Sequence, residues 1–224
     1  MIYIPMEIRI RNRLPIGVLP SKKRGTKYWP HEDIGYSIEY IKALPLFHLF
    51  ETRDKLLLVR HVVSMCSLLT SSFYSFERRR ECTTYPDESI HRGGGGGFRE
   101  AVLERETHLG IIRALNKINL DMNEYVILKG LLVCNPAIDG LSPSSQSIIS
   151  RDQNILSQTL LSYLIAKRGT SEGPIAYVEM LSLLTRLLSF TKRQKVLLGE
   201  QHLLALSLGI LRPVKEVLID QIYQ

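Results

Sequence analysis

Cysteine is scarce in this sequence of 224 residues, which contains only Cys66, Cys82 and Cys134. An odd count without framework spacing favours a reducing, intracellular setting. A zinc site built from cysteine alone needs four thiolate ligands, so these three residues cannot form even one. The sequence therefore argues against a disulfide-stapled module and against any zinc domain that is held by cysteines alone.

Long apolar runs and strong charge patches are also lacking. No apolar run approaches the roughly 20 residues that a bilayer requires, and the early charges Glu7, Arg9, Arg11 and Arg13 interrupt any secretory segment. The net charge is +7, but the basic residues are scattered along the chain, so we expect neither direct DNA binding nor membrane attachment. A hydrophobic content of 45% supports one sizeable core.

Catalytic and cofactor motifs are missing as well. The six histidines show no metal-type spacing with cysteine or acidic residues. No nucleophile elbow or pair of carboxylates stands out. The five glycines at 93–97 lack the Lys-Ser/Thr ending of a phosphate-binding loop, so they predict a flexible loop. We therefore expect no enzyme activity, no cofactor and no metal.

Helical periodicity dominates what is present. Beyond a poorly defined extension at 1–32, the pattern predicts helices at 99–119, from Asp121 to Asn135, at 144–167 with a stop at Gly169, from Pro174 onward with Ile175 and Val178 on its apolar face, and at 214–223. Within the extension, Met6, Ile8 and Ile10 alternate like a short strand. The basic run at 21–24 fits either an exposed loop or a nuclear import patch.

The most informative stretch runs from Ile38 to Phe76. A short helix should end near Pro45, because proline cannot supply the helical N–H group. Asp54 then favours a new helix start. From Leu56 to Leu69 the predicted helix is apolar on nearly every face, which indicates that it is buried on all sides.

This stretch resembles the signature of nuclear hormone receptor ligand-binding domains. The matching residues, in order and spacing, are Tyr40, Lys42, Pro45, Phe47, Leu49, Asp54, Leu57 and Leu58, and Lys55 replaces the usual Gln. The resemblance covers Tyr36 to Gln224, especially towards nematode members. It implies an all-α, three-layer antiparallel helical sandwich over residues 33–224, with a short β element between Cys82 and Arg92. Three cysteines cannot supply the family's zinc-binding DNA module, so the resemblance implies the ligand-binding half alone.

The resemblance also implies a binding groove for a helical, leucine-rich coregulator peptide. Lys42 would contact the carbonyl end of that peptide. The groove wall would consist of Ile38, Lys55, Leu56, Val59 and Arg60, and the last helix would contribute Leu218, Ile219, Gln221 and Ile222. Gln221 stands where the family has Glu, so an uncharged amide replaces a carboxylate.

A ligand pocket is implied at Met65, Leu69, Phe73 and Tyr74. Tyr74 stands where many receptors hold an Arg, so a carboxylate ligand gains no support. The expected function is a nuclear, ligand-regulated transcription regulator that recruits coregulators and pairs with nuclear receptors, with a small lipophilic ligand or none. A ligand-free protein that dimerises with full-length receptors is the alternative, and a lipid carrier without peptide affinity is a third.

Overall fold

Six helices account for most of the residues that the computed structural model describes, which are 29–90 and 98–207. In chain order they are α1 (Trp29–Lys42), α2 (Pro45–His48), α3 (Thr52–Glu77), α4 (Phe98–Ile118), α5 (Met122–Val133) and α6 (Pro143–Ser207). No strand occurs within these ranges, and the expected β element between Cys82 and Arg92 amounts to one antiparallel bridge between Thr84 and Ile90. The expected all-α fold is confirmed. The strand pattern at Met6 to Ile10 lies outside the described residues.

Helix α3 lies at the centre of the fold and contacts α1, α4, α5 and α6. Leu58, Val62, Val63, Cys66 and Leu69 along it are completely buried. By length and composition it is the one helix in the described ranges that could cross a membrane, but 61% of its most apolar window is buried inside the protein. Its apolar faces therefore fill the middle of the sandwich from Val62 onward. The prediction of burial on all sides is wrong for the first turns, where Leu56 is 58% exposed and Val59 is half-buried.

Ion pairs and ring contacts arrange the later helices around α3. Lys117 on α4 donates to Glu179 on the second half of α6 at 2.7 Å. Nearby, the rings of His108 and Phe190 meet edge to face, with centroids 5.6 Å apart. Helix α4 and the second half of α6 are therefore in contact, while α1 packs on α3.

A sharp bend divides α6 at Gly169, whose φ of 86° and ψ of 170° are not helical. Glycine reaches this conformation without a Cβ clash. Just beyond the bend, a Cβ at Gly173 would lie 2.8 Å from backbone atoms of Ile165, so only glycine allows the two halves to approach this closely. The predicted helix stop at Gly169 is confirmed, and the chain resumes its helix before Pro174.

Pro45 and Asp54 shape the entry to α3. Leu44 is extended, with φ −74° and ψ 136°, as the residue before a proline prefers. Helix α1 therefore ends at Lys42. The Asp54 carboxylate, which is 2% exposed, accepts hydrogen bonds from the Ser142 backbone N–H at 3.2 Å and from the Ser142 hydroxyl. Because the Ser142 hydroxyl also accepts from the Ser145 N–H, one cluster joins the starts of α3 and α6.

We predict that Asp54→Asn destabilises the fold by about 1–3 kcal/mol near neutral pH, because buried donors lose a charged acceptor. Hydrogen bonding from Ser142, and then from Ser145, holds the pKa of Asp54 below its ordinary value, although burial opposes this shift. Asp54 therefore contributes its full stability above the ordinary aspartate pKa and loses it as pH falls through the lower, folded pKa.

Urea unfolding from pH 7 down to about pH 3 tests this. The difference in the free energy of unfolding between wild type and Asp54→Asn should become smaller as the solution becomes acidic. Asp139→Asn, at an exposed position, is the matched control and should change little. A gap that is absent at pH 7, or that stays constant with pH, would contradict the role given to Asp54.

Candidate functional site

Two helices that contact each other, α1 and α3, carry the groove residues expected from the matched stretch. Ile38 and Lys42 lie one turn apart on α1, and a second set lies along the first turns of α3: Lys55, Leu56, Val59 and Arg60. We call the surface formed by these six residues the signature groove. Leu46 and Phe50 are buried beneath the connecting bend, so the bend between the two helices is anchored in the core.

The signature groove exposes apolar side chains between cationic ones. Leu56 is 58% exposed, and Ile38 and Val59 are half-buried against the core. The Lys42 ammonium group lies 2.7 Å from Glu39, and both side chains are about half exposed. Lys55 lies over the Phe47 ring, with 5.5 Å between its ammonium nitrogen and the ring centroid. An apolar strip with cations at its edge suits a peptide that combines leucines with a negative end.

The last helix, expected at 214–223, falls outside the described residues. The groove residues assigned to it, Leu218, Ile219, Gln221 and Ile222, therefore have no described position. The described part of the groove therefore consists of the walls contributed by α1 and α3.

The four expected pocket residues lie in different surroundings. Met65 and Leu69 are buried in the core. Phe73 is also buried, and its ring stacks on that of Tyr125 with centroids 3.9 Å apart. Tyr74 is half-buried beneath the Arg78 guanidinium group, 4.6 Å from the ring centroid. Successive helical residues point about 100° apart, so Phe73 and Tyr74 face different neighbours.

Two buried serines were missed by sequence reasoning. The Ser64 and Ser72 hydroxyl groups on α3 are buried and have no hydrogen-bond partner among the described residues. By contrast, the Ser75 hydroxyl donates to the Ser71 carbonyl at 2.8 Å and accepts from the Thr84 N–H at 3.0 Å. A serine at a core position of an apolar helix is the signal that could have identified both residues.

A buried lysine joins α1 to the expected pocket. Lys129 on α5 is 3% exposed, and its ammonium nitrogen lies 4.2 Å from the Tyr40 ring centroid and 5.6 Å from that of Tyr125. Rings close to a cation attract it through their negative faces. Since Tyr125 stacks on Phe73, one series of contacts connects the signature aromatic residue with the middle of α3.

An ionic cluster fixes α5 against the bend in α6. Asp121 and Glu124 form a capping box at the start of α5. The helix start predicted at Asp121 is thereby confirmed. Glu124 is fully buried and accepts from Arg168 at 2.8 Å and from Lys167 at 3.1 Å. Burial tends to raise the pKa of Asp121, but hydrogen bonds from the Glu124 N–H, Lys167 and Tyr163 lower it. Asp121 is therefore ionised at neutral pH.

No group of three or more His, Cys, Asp or Glu side chains in the described ranges could hold a metal ion. Cys66 and Cys134 are buried free thiols. Burial raises the pKa of Cys134 to about 12, so this thiol stays protonated and unreactive.

Comparisons with known proteins agree with this geometry. A family model described as the ligand-binding domain of nuclear hormone receptor matches residues 23–198. The nuclear hormone receptor family member nhr-60 of Caenorhabditis elegans is 29% identical over 217 residues, which cover 92% of this chain and 45% of nhr-60. The family member nhr-153 of the same organism is also 29% identical, over 87% of this chain and 46% of its own length.

The fold has a close counterpart among solved structures. The Ultraspiracle ligand-binding domain from Drosophila melanogaster superposes with a TM-score of 0.64 at 17% identity, covering 88% of this chain and 79% of that one. The three-layer helical sandwich is thereby confirmed. The chain belongs to the nuclear hormone receptor ligand-binding domain family, and it spans a little under half the length of the curated relatives named above.

Proposed function

We propose that this domain regulates transcription in the nucleus, without enzymatic activity, by binding helical leucine-rich coregulator peptides in the signature groove. The observation that carries the proposal is Leu56, a large apolar side chain that is 58% exposed beside half-buried Val59 and Ile38. Burying such surface against peptide leucines supplies affinity at about 25 cal/mol per Å². The C-terminal helix, with Leu218, Ile219, Gln221 and Ile222, would close the groove.

Lys42 would orient the peptide. A helix carries partial negative charge at its C-terminal carbonyls, and Lys42 at the end of α1 offers a half-exposed ammonium group. Its pair with Glu39 is solvent-exposed, and such pairs contribute at most about 1 kcal/mol. Lys42 can therefore exchange Glu39 for peptide carbonyls at small cost.

We propose that a small lipophilic ligand with a hydroxyl or carbonyl group binds beside α3. The expected pocket residues are Met65, Leu69, Phe73 and Tyr74, and the same helix carries the buried hydroxyl groups of Ser64 and Ser72. A buried hydroxyl without a partner is costly, so a ligand group that bonds to it would stabilise the domain. A ligand could then bias the C-terminal helix between its partner-binding states.

The second candidate function is a ligand-free dimerisation protein that modulates full-length receptors. Ile175 and Val178 support it, because they are 56% and 64% exposed on the second half of α6. Both were expected to contribute to the apolar face of this helix, yet neither is buried. An isologous contact with the same surface of another receptor would cover them.

We predict that Val59→Arg abolishes binding of a labelled Leu-x-x-Leu-Leu peptide and that Lys42→Ala weakens it. Val59→Arg places a charge in the apolar strip, where it loses hydration. Lys42→Ala removes only the orienting cation, so the loss should be modest. Fluorescence polarisation measures both effects, with micromolar or weaker affinity expected for wild type.

Arg186→Ala, at an exposed position outside the signature groove, controls for general loss of positive charge. If Val59→Arg and Lys42→Ala both bind as wild type does, the groove assignment is wrong and the dimerisation function should replace it.

We predict that Val178→Glu prevents dimer formation without unfolding the domain. The substitution adds a charge to a surface that is exposed in the monomer, so it should cost little stability but should oppose apolar association. Analytical ultracentrifugation of wild type and variant, alone and with a partner receptor domain, measures the outcome. Glu179→Gln is the neighbouring control, since Glu179 already pairs with Lys117 within the monomer. A dimer that survives Val178→Glu would contradict this surface.

A further inference from the structure

A second groove lies at the opposite end of α3 from the signature groove. It has a volume of about 1090 Å³ and is enclosed by the C-terminal turns of α3, one face of α4 and the residues around Asn119 to Met122. On α4 its lining residues include Arg105, Leu109, Ile112 and Arg113, whose spacing places them on one helical face. Since α3 rises about 1.5 Å per residue, roughly 20 Å separates the two grooves, and both can be occupied together.

The polar lining of this groove is dominated by arginine. Four arginines line it: Arg79, Arg80, Arg105 and Arg113. Arg80 is engaged by Glu88 at 2.5 Å. The other three have no carboxylate partner in the part of the chain that the structure describes. We call the surface around Arg79, Arg105 and Arg113 the arginine groove.

The acidic side chains of the groove do not balance these charges. Asp121 is already held by Lys167 at 2.8 Å and by the Tyr163 hydroxyl. Glu77 also lines the groove and already has an interaction partner of its own. Glu81 is the remaining carboxylate. One negative charge therefore faces the three guanidinium groups of Arg79, Arg105 and Arg113. Phe76, Leu109 and Met122, all half-buried, supply apolar surface beside them.

Arg79 has a backbone conformation that favours glycine. Its φ is 54°, and it follows the end of α3, where its N–H donates to the Phe76 carbonyl at 2.9 Å. Glycine is the usual residue at such a left-handed helix stop. A non-glycine residue in this region carries backbone strain, and strain of this kind concentrates at functional sites. The turn at this residue places Arg79 in the lining of the groove.

We propose that the arginine groove docks an acidic segment of another protein, one in which glutamate or aspartate residues alternate with large apolar side chains. Guanidinium groups bind carboxylates through paired, charge-assisted hydrogen bonds. The half-buried apolar side chains of the groove would receive the leucines or aromatic residues between those carboxylates.

Charge disfavours two other occupants of this groove. Residues 1–28 of this chain carry seven basic residues against one acidic residue, so they would be repelled by free guanidinium groups. A second copy of the chain, with a net charge of +7, meets the same repulsion over longer distances.

The test uses the full chain and a short fluorescein-labelled peptide in which glutamates alternate with leucines. We expect saturable binding in fluorescence anisotropy. Replacing the glutamates with glutamines should weaken it by about tenfold or more, because charge-assisted hydrogen bonds are lost. Arg113→Glu and Arg79→Gly should each weaken binding of the original peptide by about tenfold.

Arg79→Gly separates docking from folding. Glycine suits the positive φ at this position, so the thermal midpoint of the variant should equal or exceed that of wild type while binding falls. Arg186→Glu, which does not line the groove, and Val59→Arg in the signature groove should bind the acidic peptide as wild type does. If the signature groove does not bind the leucine-rich peptide, the result of this test is therefore unaffected.

Three results would overturn the proposal. The first is no saturable binding of the glutamate peptide. The second is binding that Arg79→Gly and Arg113→Glu leave unchanged. The third is that dodecanoate binds in a way that depends on Arg79 and Arg113 while the glutamate peptide does not bind. That result would show that the groove is a site for lipid anions.

Discussion

The buried hydrogen bonds between Asp54 and Ser142 are the constraint on which the rest of the structure depends. They connect residues that are 88 positions apart and fix the first turn of α3 against the start of α6. Because α3 contacts every long helix of the described fold, its starting point determines where both of its ends lie. The positions of the signature groove at one end and of the arginine groove at the other therefore depend on this contact.

A second cluster fixes the opposite side of the sandwich. Glu124 accepts from Lys167 and Arg168 immediately before the bend at Gly169, so α5 determines where α6 turns back. From α5, Lys129 reaches the Tyr40 ring, and Tyr125 stacks on Phe73. The core therefore connects α1, which carries Lys42, with the part of α3 where a ligand would lie.

Local patterns made much of the fold predictable. Pro45, the cap at Asp121 and the glycine stop at Gly169 act within a few residues of themselves, so their effects could be inferred from spacing alone. Long-range pairings were not predictable in this way. Distant segments are joined by the contacts of Glu124 with Arg168 and of Lys129 with Tyr40. The sequence of one segment does not indicate which residue of another segment it will contact. For the same reason the pattern assigned Ile175 and Val178 to an apolar face, whereas exposure depends on which neighbours cover that face.

Hydrogen exchange with a Leu-x-x-Leu-Leu peptide tests the signature groove most directly, because it reports on every backbone amide at once. We predict that saturating peptide slows exchange at the C-terminal half of α1 and the first turns of α3, around residues 36–44 and 53–62, and that Val59→Arg removes this protection. Protection confined to other helices, or no protection at concentrations that saturate binding, would show that the peptide does not bind between α1 and α3.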